Sequence, residues 1–213
     1  MRRHVEVEWQ FELHDLGAFR RWIASERFGD WEVAPRRRLT LRDTYCDTVD
    51  WRVLRSGYAL RVRRADSAVE ATLKAVTRGR RGMAVRREIT SRVRDARPAS
   101  LLRARGRVSA RVRRVIAGQR VQRLFRLRTR RERFTVSHRG RDVAELVLDR
   151  TRIVGRTVER RLERVEIEVT RGTPALVARF VATLRRRRHL TVARRSKFEE
   201  GLRVAALTPP RVR

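Results

Sequence analysis

Val5-Glu6-Val7-Glu8-Trp9-Gln10-Phe11-Glu12-Leu13 alternates apolar with polar at every step. Val5, Val7, Trp9 and Phe11 share one face and Glu6, Glu8, Gln10 and Glu12 the other, which is the period-two pattern of a strand. The polar face is unusual because Glu6 and Glu8 put two like charges on it. The same device recurs in Leu60-Arg61-Val62-Arg63, where Arg61 and Arg63 share a face, and in Val165-Glu166-Ile167-Glu168-Val169, where Glu166 and Glu168 do. Like charges on one strand face repel, so solvent, opposite charge on neighbouring strands or a ligand must offset them.

Working outward, further strands are expected near 37–46, 57–65, 68–76, 83–91, 125–137, 142–150 and 160–170. Turns are expected at Asp66-Ser67, at the glycine-bearing Arg78-Gly79-Arg80-Arg81-Gly82 and at His138-Arg139-Gly140-Arg141. Assigning apolar residues to the outer face sends Thr72 and Lys74 inward opposite to Leu73. By the same alternation Arg86 and Glu88 lie inward, as do Arg131, Arg133 and Thr135, and Glu145, Val147 and Asp149. The inner face thus collects acids and bases together. If the strands close into a barrel with helices outside, its interior is a charged tunnel.

Helices are expected over 15–27, with Leu16, Phe19, Trp22 and Ile23 as the apolar stripe, and over 97–122, with Leu101, Leu102, Val108, Val112, Val115 and Ile116. A last helix should run from Pro174 to about Arg187, with Thr173 as N-cap and the basic run Arg185–Arg188 at its carbonyl end. The class is α+β, and a single domain is expected over 1–207, with 97–122 as a helical insertion and 208–213 as a disordered tail.

The chain has 213 residues, and 56 bases against 24 acids give a formal charge of +32. Such a charge attracts polyanions, nucleic acid among them, though without sequence specificity. Only Lys74 and Lys197 are lysines, so 54 of the 56 bases are arginine, and asparagine is absent. That composition fits a GC-rich genome with a largely solvated arginine surface. No apolar run is long enough to span a bilayer, and the start is too charged for a signal-peptide core, so a cytoplasmic protein without membrane contact is expected. Cys46 has no partner for a disulfide or a metal motif and should be inert. Trp9, Trp22, Trp31 and Trp51 are scattered and read as packing residues rather than as a platform for stacked bases.

Arginine and lysine grip phosphate oxygens directly, whereas carboxylates reach them only across a cation. Clustered carboxylates are hard oxygen ligands suited to Mg²⁺ or Mn²⁺. Both sets in one cavity point to metal-assisted chemistry on a phosphate chain.

An ordered set of short motifs resembles the CYTH superfamily, the triphosphate tunnel metalloenzymes. It comprises Glu6-Val7-Glu8, Asp43-Thr44-Tyr45-Cys46-Asp47-Thr48, Leu60-Arg61-Val62-Arg63, Thr72-Leu73-Lys74, Arg86-Arg87-Glu88, Leu148-Asp149, Val165-Glu166-Ile167-Glu168 and Ser196-Lys197-Phe198-Glu199. The resemblance spans nearly the whole chain and implies an eight-stranded antiparallel β-barrel. It implies that Glu6, Glu8, Glu88, Asp149, Glu166 and Glu168 hold the metal, that Arg61, Arg63, Lys74, Arg131 and Lys197 bind the phosphates, and that Glu6, Glu8 and Lys197 act in catalysis. Alternation selects Arg131 over Arg130. One position departs: the family's Glu-x-Glu-x-Lys signature has Gln10 at its lysine, an amide without positive charge, and Arg86 on the same lining is a candidate substitute.

The resemblance implies hydrolysis of a triphosphate; inorganic triphosphate is preferred over thiamine or nucleoside triphosphates because the tunnel suits a phosphate chain and the sequence shows no base-reading or thiamine-reading motif, and polyphosphate is a related substrate. The alternatives are an adenylate cyclase of the same superfamily and a non-catalytic polyphosphate or nucleic-acid binding module. The protein is expected to be a monomer or a homodimer.

Overall fold

The computed structural model describes residues 4–77, 82–155 and 158–210. Eight long strands, β1 (His4–Glu12), β2 (Trp31–Asp47), β3 (Tyr58–Ala65), β4 (Ala68–Ala75), β5 (Met83–Arg92), β6 (Gln122–His138), β7 (Arg141–Val154) and β8 (Glu159–Val169), pair antiparallel. Their order is β5-β4-β3-β2-β6-β7-β8-β1, and β1 pairs again with β5, which closes the barrel. A two-residue strand, β9 (Thr191–Val192), lies against the end of β1. The helices are α1 (Leu16–Ser25), α2 (Arg52–Arg55), α3 (Pro98–Arg103), α4 (Arg107–Ile116), α5 (Pro174–Arg188) and α6 (Lys197–Val204). Among the described residues no helix is long and apolar enough to cross a membrane.

Apolar residues on the outer faces of the strands build two of the three cores. Trp9, Phe11, Phe134, Leu146, Val165 and Ile167 pack under α1 and α5, through Phe19, Ile23, Phe180 and Leu184. Leu60, Val62, Ala71 and Leu73 pack under α3 and α4, through Leu101, Val108 and Val112. The third core is internal. α6 inserts Phe198, Leu202 and Val204 among Tyr45, Phe125, Leu127, Ile153 and Leu162 and so plugs one end of the barrel. Glu200 of α6 is 2% exposed and pairs with Arg160 of β8 at 3.0 Å.

Most expected elements form, with informative differences at their ends. β2 begins six residues before the expected 37 and runs through Pro35, which a strand tolerates because the register with β6 shifts between Pro35 and Arg37. The helix expected over 97–122 is two helices, α3 and α4. Ala104 is extended, and Gly106 has φ 140, a conformation only glycine adopts readily. The turn at Asp66 and Ser67 forms with Asp66 at φ 51, and the hairpin at 139–140 has both residues at positive φ. Of the turn expected at Arg78–Gly82, residues 78–81 lie outside the described residues, as do 211–213 of the tail.

Thr173 caps α5 by accepting from the Leu176 N–H at 3.2 Å, with Pro174 in the first turn as expected. The basic run at its end packs on rings, Arg188 over Trp22 at 5.1 Å and Arg187 over Phe28 at 5.7 Å. Two short elements escaped the periodicity argument. α2 is fixed by Asp47, whose carboxylate accepts from the Thr48, Val53 and Leu54 N–H groups at 2.7, 2.9 and 2.9 Å. α6 begins in a capping box: Ser196 accepts from the Glu199 N–H at 3.2 Å, and Glu199 accepts from the Ser196 N–H at 2.7 Å.

Candidate functional site

The polar faces of the strands converge on a cavity of about 680 Å³ inside the barrel. Its lining includes Glu6, Glu8 and Gln10 of β1, Arg61 and Arg63 of β3, Lys74 of β4, Arg86 and Glu88 of β5, Arg131 of β6, Glu166 and Glu168 of β8 and Lys197 of α6. Alternation therefore turned the strand residues of this set inward as expected, while Lys197 of α6 was implied by the family resemblance alone. Arg131 is inward and paired, whereas Arg130 is exposed. Asp149 is also inward but completely buried behind Arg131 and Lys197.

The charges sort into two groups. In the first, the Lys74 ammonium lies 2.6 Å from Glu6, 3.1 Å from Glu88 and 3.3 Å from Glu8, while Arg86 donates to Glu8 at 3.0 Å. Burial acts against the Lys74 charge, but the Glu8, Glu6 and Glu88 carboxylates raise its pKa above the ordinary value. In the second group, Arg131 donates to both Asp149 oxygens at 2.7 and 2.6 Å and to Glu166 at 3.0 Å. Lys197 bridges the same two carboxylates, contacting Asp149 and donating to Glu166 at 2.9 Å. Burial would raise both acids, yet Arg131 and Lys197 hold both below the usual carboxylate range. Beside these groups Arg63 grips Asp43 with two bonds of 2.7 and 2.8 Å. Burial pushes Asp43 up, but the Arg63 guanidinium outweighs it and holds the carboxyl at about 2.

Register leaves some charge uncompensated. Glu8 faces Glu168 across β1 and β8, and Glu168 faces Glu145 across β8 and β7, so three carboxylates stand in a row. Arg86 serves Glu8 and Arg133 serves Glu145, whereas Glu168 makes no ion pair among the described residues. Burial and the neighbouring Glu8 push Glu168 up to about 7. Burial likewise lifts Glu6 to about 7, with Glu8 and Glu88 adding to the rise against Lys74. On the basic side Arg61 makes no ion pair among the described residues, and its Nε is buried without a hydrogen-bond partner.

These donors are consistent with an oxygen-liking divalent cation. Glu6, Glu8, Glu88 and Glu168 are hard ligands that repel one another, and two of them are partly held as acids where a cation is absent. Among the described residues no three carboxylates converge as a ready-made metal cluster. Asp149 and Glu166, expected with the metal set, are engaged by Arg131 and Lys197. Cys46 is buried, and burial pushes its thiol up to about 12, as an inert residue requires.

The sequence reading gave no role to Asp43 or Tyr45, although Leu41, Asp43 and Tyr45 alternate inward on β2 by the same period-two rule. Tyr45 stacks on Phe125 at 4.9 Å and packs on Phe198 at 5.4 Å. With Leu54, Ala59, Leu202, Pro209 and Pro210 it gives the cavity an apolar end.

The model of the CYTH domain matches residues 5–202. The chain belongs to the CYTH family. Among solved structures it is similar to a Hippeastrum protein described as an adenylyl cyclase candidate with a dominant triphosphatase activity, at 18% identity and TM-score 0.72, over 96% of this chain and 98% of that one. It is also similar to an adenylate cyclase candidate from Bacillus halodurans (21%, TM-score 0.60, 94% and 98% covered) and to a protein of Pyrococcus horikoshii (18%, TM-score 0.56, 93% and 98% covered). At these identities the likeness is one of fold. No curated protein matches the sequence. The closed eight-stranded sheet is consistent with the CYTH fold.

Proposed function

We propose that this CYTH protein hydrolyses a triphosphate inside its barrel. The observation that carries the reading is the coexistence, in one cavity, of a basic group without a counterion, Arg61, and a carboxylate without one, Glu168. An anion alone would satisfy the first and a cation alone the second; a metal-bound phosphate chain satisfies both. Arg61, Arg63, Lys74, Arg131 and Lys197 would hold the phosphates, while Glu6, Glu8, Glu88 and Glu168 would hold Mg²⁺ or Mn²⁺. The metal supplies charge neutralisation at the phosphate oxygens. Asp149 and Glu166 orient Arg131 and Lys197, so both bases arrive at the substrate in fixed positions. Burial inside the barrel strengthens each of these contacts by excluding water. A carboxylate of the Glu6, Glu8 and Glu168 group would accept a proton from the attacking water. Gln10 lines the cavity opposite Glu166 in register, and Arg86 supplies positive charge on the same lining.

Inorganic triphosphate is the preferred substrate because twelve of the 25 residues lining the cavity are charged, bases and acids together. The apolar end around Tyr45 and Phe198 favours a second reading, a triphosphate ester whose organic group rests there. The described activity of the Hippeastrum relative agrees with triphosphate hydrolysis. The test is phosphate release from inorganic triphosphate, ATP and thiamine triphosphate with Mg²⁺, Mn²⁺ or EDTA, beside the E6A/E8A variant and a cyclic-AMP readout. Metal-dependent release, lost in the variant, is expected. Cyclic AMP without phosphate release would establish the cyclase, and tight metal-independent binding without turnover would leave a binding module.

A further inference from the structure

On the outside of the barrel, register sets arginine opposite arginine. Arg64 of β3 faces Arg42 of β2, Arg42 faces Arg128 of β6, Arg128 faces Arg152 of β7, and Arg152 faces Arg161 of β8. One row of five arginines crosses five adjacent strands, and all five are exposed. Acid reaches the row at one end only, where Glu159 pairs with Arg152 at 2.6 Å and with Arg161 at 3.3 Å. Arg42, Arg64 and Arg128 make no ion pair among the described residues. Neither do Arg126 and Arg130, which flank Arg128 on the same face of β6 and are also exposed.

Directly opposed like charges destabilise a sheet. Arginine-rich composition alone does not require the arrangement, since beside the row some outer arginines have an acid across the strand, although Arg130 faces Arg150. Arg38 faces Glu132, and Arg150 faces Glu163 with a 2.7 Å contact. The row keeps its repulsion, and a bound polyanion would relieve it.

The shape of the row selects among polyanions. Strands lie about 4.8 Å apart, so five of them spread the charges over roughly 19 Å of arc. Five strands of a closed eight-stranded barrel cover about half its circumference. A nucleic-acid duplex, stiff over about 150 base pairs, would meet such a convex row only at a tangent. A single strand could bend but draws much of its affinity from stacking on aromatic rings. The residues flanking the row include Thr40, Thr44 and Val154, with no aromatic ring among them. A flexible, base-free chain with a charge on every phosphorus fits both the curvature and the chemistry, and guanidinium forks match phosphate oxygens. We propose that this arginine row is a docking site for inorganic polyphosphate outside the tunnel.

The test compares the full-length protein with R42Q/R64Q/R128Q and with R107Q/R114Q/R120Q, which removes the same charge from exposed arginines elsewhere. Affinity for long-chain inorganic polyphosphate is measured by calorimetry in EDTA over a salt series, with thermal unfolding as the fold check. The row variant should bind roughly tenfold or more weakly, with a shallower salt dependence, while the control stays within about twofold. Its melting temperature should be unchanged or higher, because repulsion has been removed. Equal losses in both variants would reduce the row to overall charge, and an unchanged affinity would place the chain elsewhere. Binding of single-stranded RNA through the row as tightly as polyphosphate would make the partner a nucleic acid. Any of these three results overturns the proposal.

Discussion

Replacing Lys197 with methionine keeps the length of the side chain and removes its charge. In the native protein the ammonium bridges Asp149, which is fully buried, and Glu166, which is nearly so. Removing one partner of a buried ion pair costs about 3–5 kcal/mol. Arg131 keeps its paired bonds to Asp149 and its 3.0 Å contact with Glu166, so the lower end, about 3 kcal/mol, applies. At about 2–4 °C per kcal/mol for a chain of this size, the melting temperature should fall by roughly 6–12 °C at pH 7. The effect also has a pH signature. Lys197 and Arg131 hold both acids below their usual range, a contribution that is present above the unfolded carboxylate pKa and lost as pH falls through the folded one. The variant has less of it to lose, so the gap between the two proteins should narrow as pH falls towards 4. K197M/E166Q should recover part of the loss by removing the stranded charge. Phosphate release should drop by about 10²–10³, the scale for one charge-stabilising donor. Scanning calorimetry at pH 7 and near pH 4 checks the stability claim. A fall below about 2 °C, or a gap independent of pH, would show that Lys197 does not neutralise these two acids in solution.

Three other perturbations test the remaining parts of the barrel. Burial raises Glu168 to about 7, so the folded chain binds more protons than the unfolded one between about pH 4.5 and 7, and stability should decline as pH rises through that window. E168Q should flatten the decline by about 1–2 kcal/mol after allowing for solvent screening, and Mg²⁺ should stabilise the native protein more at pH 8 than at pH 5, both read by thermal unfolding. A Cβ at Gly201 would lie 2.0 Å from the Phe125 ring, so G201A should lose about 1–3 kcal/mol in denaturant unfolding by displacing the plug formed by α6. D43A strands the largely buried Arg63 and should lose about 3 kcal/mol by the same assay, while R63M/D43A should be more stable than D43A alone.

The period of two in nine residues of β1 was enough to sort side chains into inner and outer sets. Sequence determined that much because the pleat ties facing direction to parity, whatever the tertiary context. It identified Arg131 over Arg130 and turned Lys74 inward, whereas Lys197, on a helix, came only from the family resemblance. The capping box at Ser196 and Glu199 and the inward alternation of Asp43 and Tyr45 are local signals of the same kind that the sequence reading left unused. Parity says nothing about height along the barrel, so the pairing of charges waited for register and strand tilt. Only the closed sheet set Glu168 between Glu8 and Glu145, and gave Asp149 and Glu166 to Arg131 and Lys197. The inward turn of α6 arises because Phe198, Leu202 and Val204 find their apolar surface at one end of the barrel, a contact between segments far apart in the chain. The arginine row has the same origin: each residue is an ordinary exposed arginine in sequence, and only hydrogen-bonded register lines five of them up across the sheet.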